Sequence, residues 1–173
     1  MCSLTFQKNG SNSVSACVFA PHGKTIVSAS WDATLKIWDV ELGTCLTTLE
    51  GHSGGVYCVS FNPSNPTLLV SGSGGDNKTI RLWDVGTGKE LKKLEGHSSR
   101  VNGVSISADG SLVASCSGSP FETGGGDCSV RMWSVETGHE LKKFLGHSVP
   151  VFPVGWSIDG LLASGSYDQQ ASA

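Results

Sequence analysis

Two markers return along this chain at matched intervals, and together they restrict its architecture more than any other feature. Gly-His stands at Gly51-His52, Gly96-His97 and Gly146-His147, while Trp38-Asp39, Trp83-Asp84 and Trp133-Ser134 close stretches of alternating apolar and polar residues. Forty-five positions separate His52 from His97 and also Trp38 from Trp83; fifty separate His97 from His147 and also Trp83 from Trp133. Markers that lengthen together belong to one repeating unit, and such a unit must bury its apolar face against its own copies. Inside each unit the apolar residues recur with period two or run in short blocks between Gly, Pro, Asn and Asp turns, the pattern of short strands.

Aligned on these markers, the first unit predicts strands over 14–19, 25–30, 34–38 and 45–49. The second predicts 56–61, 67–72, 79–83 and 89–94, and the third 101–106, 112–117, 129–133 and 139–144. The fourth supplies 151–156 and 161–166, then ends in Gln169-Gln170-Ala171-Ser172-Ala173, read as a tail where a third strand belongs. Residues 2–8 read as an orphan outer strand, and Gly118 to Gly125 as a surface loop that lengthens the third unit. A repeat of about 40–45 residues bracketed by Gly-His and Trp-Asp is the mark of a four-stranded propeller blade. The sequence resembles the WD-repeat family over nearly its whole length. The resemblance implies an all-β WD-repeat β-propeller of about three and a half blades in an incomplete ring. Residues 1–173 then form a single partial domain, with blades near 14–49, 56–94 and 101–144 and a half blade at 151–168. The strand count reads as a truncated or short form of a longer propeller, or else as a chain that needs self-association or a completing chain to close.

Composition narrows the class further. Twenty-three glycines among 173 residues suit a chain that turns often, and 16% charged residues with a net charge of −3 give no field that would gather a polyanion. Nucleic acid is not an expected partner. No basic head with an apolar run opens the chain, and no apolar stretch approaches the ~18 residues that span a bilayer. The expectation is an intracellular protein, cytoplasmic or nuclear, without membrane contact. Six cysteines show no C-x-x-C pair and no metal-like grouping with the histidines, so free thiols are expected, with no metal and no cofactor.

Each unit offers a His, a Ser, an Asp and a Trp at fixed offsets: His97, Ser115, Asp127 and Trp133 in the third, His52, Ser71, Asp76 (or Asn77) and Trp83 in the second. Ser, His and Asp together suggest acyl transfer, which needs a nucleophile, a base and an orienting carboxylate. One active site needs only one such set, yet Ser28, Asp32 and Trp38 repeat it without a His, and His147, Ser164 and Asp168 without a Trp. Buried imidazoles need partners for both nitrogens, and the repeated set provides them. The resemblance implies that these residues form a structural hydrogen-bonded tetrad in each blade and that no residue is catalytic. It also implies that residues before the turn Asp and early in the inner strand gather on one rim: Trp31, Tyr57, Arg100, Asn102, Phe152 and Tyr167. Aromatics and Arg are the residue types that dominate interface energetics, so these six are the candidate partner-binding set. The pairs Lys92-Lys93 and Lys142-Lys143 fall in outer strands, where charge discourages edge association. The function expected is a non-enzymatic scaffold that presents a rim to partner proteins. The alternatives are a hydrolase using Ser115 or Ser71, and a purely structural array completed by another chain.

Overall fold

The computed structural model describes residues 12–75, 78–121, 126–168 and 171–172. The strand expected at 2–8, the turn residues Asp76 and Asn77, and residues 122–125 of the long loop lie outside that description. The first sheet runs β1 (Val14–Phe19), β2 (Thr25–Ser30), β3 (Leu35–Asp39) and β4 (Cys45–Leu49). The second contains β5 (Val56–Phe61), β6 (Leu68–Ser73), β7 (Ile80–Asp84) and β8 (Lys89–Leu94), and the third β9 (Val101–Ile106), β10 (Leu112–Ser117), β11 (Val130–Ser134) and β12 (Glu140–Phe144). A fourth holds β13 (Val151–Trp156), β14 (Leu162–Ser166) and β15 (Ala171–Ser172). All four are antiparallel meanders in which each strand pairs with the next in sequence. The inner strands β1, β5, β9 and β13 pack side by side, so the sheets radiate as blades in an open arc.

One expectation is corrected. Residues 169–173 read as a tail, but Gly165 pairs with Ala171 and Ser164 with Ser172, a two-residue third strand. Pairing of this kind needs only backbone donors and acceptors, so it forms without the Trp that the other three third strands carry.

The turn from third to fourth strand explains why Asp follows Trp. Asp39 Oδ1 accepts from the amides of Glu41 and Leu42, both at 2.8 Å, and Asp84 Oδ1 from Thr87 at 2.9 Å. Ser134 departs from that pattern without losing the contact, since its hydroxyl accepts from Thr137 N at 3.1 Å. Each turn closes through a glycine with φ near 70°, Gly43, Gly88 and Gly138, a region that side chains disfavour.

The core lies between the sheets. Trp83 packs backwards onto the first sheet among Leu35, Leu49, Phe61 and Leu69. Trp133 does the same onto the second, among Leu82, Leu94, Val104 and Val113. The buried part of the third seam is built from smaller groups, Ala114, Cys116, Val130, Val151 and Val154, with half-buried Phe144, Trp156 and Leu162 packed against them. Along the axis each inner strand is tied to the next through the carbonyl at the same register. The Ser15 hydroxyl donates to Val56 O, the Cys58 thiol to Val101 O at 3.8 Å, and the Asn102 amide to Val151 O at 3.2 Å.

Candidate interaction rim

The repeated polar set is brought together in the third sheet. Asp127 sits in the loop before β11, where its Oδ2 meets His97 Nδ1 at 2.8 Å and accepts from Ser98 N at 3.1 Å. His97 Nε2 lies 2.8 Å from Ser115 Oγ, and Trp133 Nε1 donates to the same hydroxyl at 2.8 Å. In the second sheet His52 Nε2 and Trp83 Nε1 converge on Ser71 Oγ at 2.7 and 2.8 Å. Nδ1 of His52 finds no partner among the described residues, and Asp76, expected to serve it, lies outside them. The fourth sheet has the His147–Asp168 and His147–Ser164 contacts at 2.9 and 3.1 Å. In the first, Trp38 Nε1 donates to Ser28 Oγ at 2.9 Å, and Asp32 accepts from Thr34.

Electrostatics follow burial. His52 is held neutral, its pKa lowered to about 3 by burial and then by the nearby Arg81 charge. Burial also lowers His97, outweighing the opposing pull of Asp127. Burial alone would raise Asp127, but hydrogen bonds from His97, Ser129 and Ser98 hold its carboxyl far below the usual carboxylate range. Burial raises the Cys58 thiol and lifts Cys116 to about 12, so neither is a reactive thiolate. A hydrolytic nucleophile must meet its substrate, and Ser115 and Ser71 are fully enclosed, each hydroxyl already shared between an indole and an imidazole. Among the described residues no group of His, Cys, Asp and Glu is placed to hold a metal ion, and no helix is long and apolar enough to cross a membrane.

A second feature under the Gly-His marker escaped the sequence reading. Arg81 pairs with Glu90, and Arg131 with Glu140 at 2.6 Å, across the third and fourth strands beside each buried Trp. A Cβ on Gly96 would lie 2.6 Å from Arg131 Nη1 and 3.1 Å from the Trp133 ring, so the marker glycine is a matter of space. The signal was present: Arg stands two places before Trp, and Glu seven after, in both units, whereas the first has Lys36 and Cys45.

The six rim residues meet at one end of the arc, where antiparallel pairing sets the start of each inner strand beside the end of its neighbour (Val14 with Ser30, Val56 with Ser73, Val151 with Ser166). Trp31 and Tyr57 lie with ring centroids 6.1 Å apart. The Arg100 guanidinium covers the Tyr57 ring at 4.6 Å and the Phe152 ring at 5.8 Å, and Phe152 in turn contacts Tyr167 at 5.2 Å. Asn102 fixes this row from below: its Oδ1 accepts from Arg100 Nε at 2.7 Å while its amide donates to Gly118 O and Val151 O. Trp31 and Tyr167 remain 54% and 74% exposed, so the row is presented to solvent. Trp31, Tyr57, Arg100, Asn102 and Phe152 line a hollow of about 460 Å³, and Ser13, Val14 and Ser15 at the start of β1, not among the six candidates, complete its wall.

The profile described as "WD domain, G-beta repeat" matches residues 1–39, 43–84 and 88–134. The chain belongs to the WD-repeat family. Members are generally non-enzymatic scaffolds that bind protein partners. It is 49% identical over 47 residues to the WD repeat-containing protein pop1 of Schizosaccharomyces pombe, covering 27% of this chain and 6% of that protein. It is 45% identical over 58 residues to WD repeat and SOCS box-containing protein 1 of Xenopus tropicalis, covering 32% and 14%. Nuclear distribution protein PAC1 of Arthroderma otae is 44% identical over 69 residues, covering 35% of this chain and 15% of its own length. This WD-repeat chain therefore spans less than a sixth of each of these relatives.

Proposed function

We propose that this WD-repeat chain is an intracellular protein-interaction scaffold whose docking surface is the row Trp31–Tyr57–Arg100–Phe152–Tyr167. The observation that supports it is the continuity of that row across all four sheets, with ring and guanidinium contacts between 4.6 and 6.1 Å. Trp, Tyr and Arg anchored at a partly exposed site are the chemistry of interface hot spots. The His–Ser–Asp–Trp sets serve as braces that hold the blades to which the row is attached. The open arc of sheets supports reading the chain as a portion of a longer propeller. Affinity capture at physiological salt tests the scaffold role: Ala substitution of Trp31, Tyr57, Arg100 or Phe152 is expected to weaken a captured partner by about 1 kcal/mol or more at some of these positions. Equal capture by all four variants, each still folded, rejects the rim as the docking surface.

A further inference from the structure

The hollow at the centre of the rim contains a cation, Arg100, whose charge no described residue answers. Arg100 is half-buried, and its Nε is spent on Asn102, but among the described residues no carboxylate pairs with it and its terminal nitrogens donate to nothing. Its stacking partners, Tyr57 at 4.6 Å and Phe152 at 5.8 Å, present ring faces, which steady a guanidinium in place without neutralising it. Asn102, with both amide hydrogens committed to Gly118 O and Val151 O, cannot swing away and so fixes the guanidinium's direction. The aromatic walls are therefore already filled by the protein's own cation, which excludes a cationic guest and leaves the forked end of Arg100 as an anion receptor. Trp31, 54% exposed, and Val14, 53% exposed, stand beside it as apolar ground for a neighbouring side chain.

We propose that the hollow takes a polypeptide segment in which a carboxylate side chain sits next to an aromatic or aliphatic one, the carboxylate forked onto Arg100 and the apolar group laid on Trp31. This rests on the reading of the rim as the docking surface and adds the chemistry of what docks. Charge complementarity carries it, because a partly desolvated guanidinium gains most from an acceptor that is itself charged and planar. Asn102 is a positioning residue in this site, acting through Arg100.

The test uses the full chain, isotopically labelled, with a capped peptide Gly-Leu-Trp-Glu-Leu-Gly and its Gln and Lys counterparts at the Glu position. Shifts of the Trp31 indole and Arg100 Nε–H signals read binding at the rim. The expected order is Glu over Gln by about ten-fold, with Lys weaker still, the margin narrowing at high salt. Arg100→Glu is expected to reverse the order of the Glu and Lys peptides, an outcome that loss of fold would not mimic. Asn102→Ala is expected to weaken the Glu peptide while leaving the Gln peptide nearly unchanged. Equal shifts by all three peptides overturn the proposal and leave the rim as a docking surface without charge preference. Absence of any shift overturns it too, and partner capture that ignores the rim substitutions is the separate result that removes the surface itself.

Discussion

Replacing one buried hydroxyl tests whether the polar braces hold the sheets. Ser115 Oγ serves two enclosed partners, the Trp133 indole and the His97 imidazole, each at 2.8 Å. Ser115→Ala leaves no large void but strands both groups where water does not reach, since Trp133 and His97 are only 2% and 7% exposed. An unsatisfied buried group costs roughly 1–3 kcal/mol, so the pair costs about 2–6 kcal/mol. Ser28 supplies the internal control, because among the described residues only the Trp38 indole is hydrogen-bonded to its hydroxyl, and Ser28→Ala is expected to cost about 1–3 kcal/mol. Urea denaturation followed by circular dichroism reads the difference: the Ser115 variant shifts the midpoint by about 1 M or more at constant slope, the Ser28 variant by about half as much. Equal losses at the two positions, or a negligible loss at Ser115, would refute the reasoning.

The marker glycines provide a second pair: Gly96→Ala is expected to destabilise by about 1–3 kcal/mol, because its Cβ would meet Arg131 Nη1 at 2.6 Å. Gly146→Ala, where a Cβ meets nothing within 4 Å, is expected to be nearly neutral in the same melts. His52 has a folded pKa lowered from 6.5 to about 3, so the unfolded chain takes its proton first as pH falls. Its stabilising contribution is complete above pH 6.5 and is lost progressively down to about pH 3; His52→Gln removes that portion of the stability–pH slope. Phe19 at the end of β1 and Ile158 and Leu161 in the turn between β13 and β14 are 59%, 87% and 64% exposed, so the isolated 173-residue chain is expected to associate. Light scattering after size exclusion checks it, and a monodisperse monomer of 18.0 kDa contradicts it.

The fold was legible because its determinants are local and repeated. Val56–Phe61, Leu112–Ser117 and the Trp83 and Trp133 strands carry their pattern within a few residues, and two markers in step fix the register between units. Ala171–Ser172 was not legible, since a short strand without apolar alternation is specified by its neighbour's open backbone and not by its own side chains. The rim residues were legible through position in the repeat, but their mutual contacts were not. Arg100 lies between rings contributed from 43 residues before it and 52 after, separations that only the curvature of the arc converts into contact. The Arg131–Glu140 pair was missed for a different reason: alternating charge on two strands also describes a solvated surface, and nothing local distinguishes an Arg that is 7% exposed.

The guanidinium of Arg100 belongs to the third sheet, but its two ring walls belong to the second and the fourth. Its surroundings are thus a gauge spanning two seams, and any change in how steeply the sheets fan out alters the gap between Tyr57 and Phe152. Gly72 shows how remote such a change can begin, for a Cβ there would press on Val101 Cγ1 at 2.6 Å and on the Cys58 sulfur at the same distance. A methyl group placed inside that seam would spread the sheets and loosen the grip on the cation without touching any residue of the rim. On the proposed reading, recognition at this end of the molecule is a readout of its interior spacing, and selection on the docking chemistry would also act on the width of the core.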